Sequence, residues 1–185
     1  MHATAEHARD ALYLSIDEAG NFDFGHTGTR HFVLTGVLMR RPFAHLAGLE
    51  YFHASEDRQA VGDRVFRCLA AHGNGTRMLC VVACKAELDR GLRTPERLYA
   101  TAFDRLVREA LHALAPMAGG QIIVVTDSLP VRSGGAAVCA DVNLQVADYC
   151  AWAAYRRWER EDDRSYRIIA DAGVVWAASR LVHAE

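Results

Sequence analysis

Gly119-Gly120-Gln121-Ile122-Ile123-Val124-Val125-Thr126-Asp127 is an apolar run opened by a glycine pair and closed by a carboxylate. An unbroken β-branched run of this kind reads as a central strand, Gln121 to Thr126, covered on both faces. Before it, Pro95 to Ala115 places Leu98, Ala102, Leu106, Ala110 and Leu114 on one helical face, with Pro95 suited to the first turn. Helix, glycine breaker, strand and acidic end, in that order, predict an α/β fold.

The alternation continues outward from there. Leu12 to Asp17 reads as a first strand and Arg30 to Met39 as a second, a hairpin joined through the turn-rich Ala19-Gly20-Asn21. Phe43 to Tyr51 reads as a short helix. Asp57 to His72 reads as a longer one, with Val61, Val65, Phe66, Leu69 and Ala70 at helical spacing until Gly73-Asn74-Gly75 stops it. Met78 to Ala83 is a continuous apolar strand. A last main helix is expected from Leu144 to about Arg160, capped by Asn143, with Leu144, Ala147, Asp148, Ala151, Trp152, Tyr155 and Trp158 on one side.

At 185 residues, 51% apolar and 24% charged, the chain suits one globular domain, residues 11–185, behind a short flexible tail, residues 1–10. No apolar run approaches the ~20 residues of a membrane span. Met1 to Asp10 lacks the apolar stretch of a secretory signal, so a cytoplasmic protein is expected. Five cysteines, an odd number without a Cys-x-x-Cys pair, argue for buried thiols against a disulfide framework or a zinc ribbon. A net charge of −2 exerts no global pull on nucleic acid. Arg156, Arg157, Arg160, Arg164 and Arg167 form a local basic group, but Glu159, Glu161, Asp162 and Asp163 interleave with them, so a solvated helix end laced with ion pairs is the competing reading.

The chemistry lies in carboxylates at the margins of the expected core. Asp17 and Glu18 close the first strand, Asp127 closes the later one, and Asp148 sits on the inward stripe of the last helix between Leu144 and Trp152. Burying an unpaired carboxylate costs several kcal/mol, so such groups are hydrogen-bonded, paired or metal-bound. Converging carboxylates without a matching Lys or Arg cluster suit Mg²⁺ or Mn²⁺. For Asp148 the competing reading is a partly exposed residue at the edge of the stripe, paired with an arginine. For Glu18 it is an ordinary turn or cap.

The pattern resembles a known family. Asp17-Glu18-Ala19-Gly20, Phe52-His53-Ala54 with Asp57, Lys85 after a strand, Tyr99 in a helix, Asp127-Ser128-Leu129-Pro130 and Leu144-Gln145-Val146-Ala147-Asp148-Tyr149-Cys150-Ala151-Trp152-Ala153 together look like the domain-of-unknown-function family numbered 3800. Trp158-Glu159 and Arg164-Ser165-Tyr166 extend the likeness, which runs from Tyr13 to about Ile169. The resemblance implies a ribonuclease-H-like mixed sheet flanked by helices and a metal-dependent nuclease acting on RNA or DNA. By position, Asp17, Asp127 and Asp148 correspond to its acidic residues, with Glu18 a fourth metal candidate. In such a site, carboxylates hold two ions ~3.5–4 Å apart, one activating water and one stabilising the leaving oxygen. One departure stands out. Members carry a further helix and strand before the last main helix, whereas only the thirteen residues Val131 to Asn143 intervene here. The sheet is then expected to lack a strand or to expose an edge that a second copy would cover as a homodimer.

His53 and Asp57, four residues apart, would share a helix face if a helix began near His53, the carboxylate orienting the imidazole for general-acid work or a phosphate contact; a simple helix cap is the alternative. Lys85, the only lysine, is either a phosphate contact or an ordinary surface cation. A noncatalytic nucleic-acid-binding or interaction module of the same fold stays open beside the nuclease. Serine or cysteine hydrolysis ranks below both, since no Gly-x-Ser-x-Gly elbow occurs.

Overall fold

The computed structural model describes residues 12–39, 53–114, 122–126 and 142–182. The chain runs β1 (Leu12–Ala19), β2 (His31–Met39), α1 (Gln59–His72), β3 (Arg77–Cys84), a 3-10 turn (Arg90–Leu92), α2 (Pro95–Leu114), β4 (Ile122–Thr126), α3 (Val142–Arg160), α4 (Arg164–Asp171) and β5 (Val175–Leu181). The strands form one mixed sheet in the order β4-β1-β2-β3-β5. β2 is antiparallel to both neighbours, while β4 runs parallel to β1 and β5 parallel to β3. The predicted α/β class holds as a five-stranded mixed sheet with helices on both faces.

Alternation along the strands splits the core in two. Val33, Val37 and Met39 of β2 and Met78, Cys80 and Val82 of β3 meet Phe66 and Leu69 of α1, Val146, Cys150 and Ala153 of α3, and Ile169 of α4. On the other face Leu14, Ile16, Phe32, Leu34, Leu79 and Val81 pack against Leu98, Ala102, Leu106 and Ala110 of α2. Those four α2 residues are fully buried, as the sequence stripe requires. Thr94 starts that helix, its Oγ1 accepting the Arg97 N–H at 3.4 Å, with Pro95 in the first turn.

Four expectations change. β4 is not a central strand: among the described residues it is the edge, and Val124 is 42% exposed. Val124 lies opposite Leu14 on the α2 side and is open there, while Ile122 on the same face packs against the α2-side core. Asn143 lies within α3 and is buried, so it is not the cap ahead of the helix. The chain also adds α4 and β5 beyond the last main helix, β5 lengthening the sheet at the edge opposite β4. Finally, no helix begins near His53; residues 54–56 form a turn and α1 starts at Gln59. The helix expected over 43–51 lies outside the described residues. Among those described, no helix is long and apolar enough to cross a membrane.

Candidate functional site

β1 and β4 place the first two carboxylate positions. In the parallel ladder Ile16 lies opposite Thr126, the residues immediately before Asp17 and Asp127 in the chain. Asp127 itself lies outside the described residues. Asp17 pairs across β1–β2 with Thr35 and shares the face of Ser15, Val33 and Val37, the face over which α3 packs. Glu18, one residue on, emerges on the other face. There it contributes with Asp17, after burial, to pushing the Tyr99 hydroxyl up to about 12. Strand alternation thus separates Glu18 from Asp17 and α3.

The buried residues of α3 centre on Val146, Ala147, Cys150, Ala153 and Ala154, with Asp148 on the flank of that band, its side chain 23% exposed. Asp148 turns toward the segment before α1. Its Oδ2 accepts the Ala54 N–H at 2.8 Å and lies 3.7 Å from His53 Nδ1. Burial pushes its carboxyl above the ordinary range, opposed by the Ala54 N–H and His53 and reinforced by Asp57 and Glu56. No Arg or Lys pairs with it among the described residues. Asp148 therefore lies at the edge of the inward stripe, as the competing reading had it, with a histidine and a backbone amide beside it in place of that reading's arginine.

Next to it, Tyr149 donates its hydroxyl proton to Asp57 Oδ2 at 2.5 Å, and the same oxygen accepts the His53 N–H at 2.9 Å. Consecutive residues of α3 thus grip one turn, Asp148 through Ala54 and Tyr149 through Asp57. Asp57 holds the backbone of His53 and does not orient its imidazole. The ring instead has Nδ1 3.0 Å from Ser55 Oγ and accepts the Ser55 N–H at 3.3 Å. Sequence spacing missed this grip, because it joins residues more than 90 positions apart.

Lys85 is neither a phosphate contact nor a surface cation. It is 6% exposed, and its ammonium donates to Asn21 Oδ1 at 2.8 Å, the Asp23 carbonyl at 2.9 Å and Thr29 Oγ1 at 3.1 Å. All three protons are used to pin the β1–β2 connection. Desolvation lowers its pKa, with Asp23 and Glu159 opposing. That connection leaves β1 at Gly20, whose φ of +96° and 2.5 Å approach of a built Cβ to the His31 carbonyl exclude a side chain.

The basic C-terminal group is laced with ion pairs. Arg156 pairs with Asp162, Arg164 with Asp63 at 2.6 Å, and Glu159 receives the N–H groups of Arg30 and His31, both at 2.9 Å. Cys80 and Cys150 are buried thiols pushed up to about 12, chiefly by desolvation, and suit neither nucleophilic nor ligand chemistry. Among the described residues no three His, Cys, Asp or Glu side chains are grouped to hold a metal ion. Comparison with family models, with curated proteins and with solved structures returns no match.

Proposed function

We propose that this chain is a divalent-metal-dependent nuclease of ribonuclease-H-like fold that hydrolyses phosphodiesters in RNA or DNA, with Asp17, Asp127 and Asp148 as the metal-holding carboxylates. The observation that carries the reading is the parallel β1–β4 register. It brings the residues preceding Asp17 and Asp127 side by side at the carboxyl end of the β1–β4 parallel ladder, where β4 ends and β1 runs on to Ala19; the carboxyl ends of parallel strands are a common ligand position in α/β sheets. Asp17 shares its face with α3, the helix that carries Asp148. The donor set fits Mg²⁺ or Mn²⁺, since it is all carboxylate oxygen. Asp148 fits as a member: it is partly desolvated, lacks a neutralising arginine or lysine among the described residues, and has Oδ2 fixed by Ala54. A held divalent ion would supply Lewis-acid polarisation of the phosphoryl oxygens and a hydroxide at neutral pH. His53, beside Asp148, is the residue suited to proton transfer or a phosphate contact. Glu18 and Lys85 have no part in this reading.

Calorimetric titration with Mn²⁺, paired with cleavage of labelled RNA and DNA, tests it. Asp148→Asn and Asp17→Asn should each abolish saturable heat and lower cleavage by more than the ~10–100-fold typical of changes one shell further out. A folded wild type that binds no Mn²⁺ and cleaves nothing would leave a noncatalytic nucleic-acid-binding module of the same fold.

A further inference from the structure

A cleft of about 310 Å³ runs between the start of α1 and the outer flank of α3. It begins at Ala54, whose N–H holds Asp148, and its walls carry three guanidinium groups: Arg58 from the α1 side, Arg156 and Arg160 from α3. Asp148, Trp152, Arg156 and Arg160 stand four residues apart along α3. At ~1.5 Å per residue they mark a row of roughly 18 Å leading away from the carboxylate.

The charges in this cleft do not cancel. Asp57, the one carboxylate in its lining, is occupied by the His53 N–H and the Tyr149 hydroxyl. Arg156 lies 4.9 Å over the Trp152 ring and pairs with Asp162, while Trp152 stacks on Phe66, so this part of the wall is held in place. Arg58 and Arg160 have no acidic partner among the described residues. Arginines that line one concave space, each with a planar fork matched to phosphate oxygens, differ from solvated arginines on a convex helix end.

We propose that this cleft is a strand-binding subsite, in which Arg58 and Arg160 hold a backbone phosphate of single-stranded nucleic acid beside the reaction centre. The assignment rests on the nuclease reading for its position next to Asp148, but its test needs no metal. Polarisation of fluorescein-labelled single-stranded RNA and DNA is measured in EDTA across a salt series. The comparison set is wild type, Arg58→Gln/Arg160→Gln, Arg58→Lys/Arg160→Lys, and Arg108→Gln on the opposite helix layer as control. Losing two charge-assisted contacts should weaken the Gln variant at least about tenfold. Its log–log salt slope should flatten by about 1.4, two charges at ~0.7 each. The Lys variant should restore the slope while recovering affinity only in part, and the control should match wild type. No wild-type binding, or unchanged affinity and slope in the Gln variant with its circular dichroism intact, would overturn the proposal. Displacement of the strand by inorganic phosphate at equal molar potency would also overturn it, assigning the cleft to free phosphate. Metal-dependent cleavage is scored separately. Binding lost in the Gln variant with no wild-type cleavage keeps the cleft and removes the nuclease; cleavage with unchanged binding does the reverse.

Discussion

Asp148 is a carboxylate kept where folding alone would not put one. Burial raises its pKa in the folded state, with Asp57 and Glu56 adding to the effect and the Ala54 N–H and His53 only partly offsetting it. A folded state that holds this proton more tightly than the unfolded chain loses stability as pH rises through the unfolded value of ~3.9 toward the raised folded one, and the penalty persists above it. Asp148→Asn keeps an oxygen for the Ala54 N–H and removes the charge, so in metal-free buffer it should raise the thermal midpoint at pH 7. The gain should vanish below pH ~3, where both states are protonated. Thermal melts of both proteins across pH read this directly; an Asn variant less stable at neutral pH would mean that the charge is a net stabiliser. That Asp148 turns toward the core margin was legible from its position between Leu144 and Trp152. Its partners were not, because Ala54 contributes a backbone N–H, which no side-chain pattern records. Lys85 misled for a related reason: a lone lysine after a strand carries no sign of which oxygens will surround it.

Elements read well wherever one side of the periodicity was decisive. The α2 stripe of Leu98, Ala102, Leu106 and Ala110 is fully buried, and the β1, β2 and β3 strands fall within a residue or two of their sequence limits. α3 read less well because small and polar residues dominate it; the buried band holds Ala147 and Ala151 of the sequence stripe but also Val146, Cys150, Ala153 and Ala154, which that stripe left out in favour of Trp152 and Trp158. Those alanines let the helix lie close on β1 and β2. The other layer makes its close approach through the strand, since a Cβ built on Gly36 of β2 would stand 2.9 Å from Leu14 Cδ1 and 3.1 Å from Leu106 Cδ2. A larger residue there must push α2 outward, so Gly36→Val should destabilise the protein by about 1–3 kcal/mol in urea unfolding, as overpacking of a filled core does. A neutral result would show that the β2–α2 seam has slack. The site should be affected little, because Asp17 and α3 lie on the opposite face.

Across the whole molecule, the sheet ends differently at its two sides. β5 alternates half-buried with exposed residues along most of its length, an ordinary solvent-facing edge, whereas β4 keeps the composition of a central strand, Ile122 to Val125, at the other edge. The short Val131–Asn143 connection made an open edge legible in the sequence, but the apolar run argued the other way, and only the strand order decides between them. An apolar edge strand offers unpaired backbone groups and side chains to any second chain, and a charge on it blocks that pairing. Val124→Lys tests the consequence. At 42% exposure the substitution should shift unfolding free energy by no more than about 0.5 kcal/mol, while slowing heat-induced aggregation and removing any concentration dependence of the sedimentation coefficient shown by the wild type. A loss of 2 kcal/mol or more would mean instead that chain beyond the described residues covers Val124 and completes the core at this edge. Because β4 leads directly to Asp127, that result would also tie the integrity of the edge to the placement of the second carboxylate.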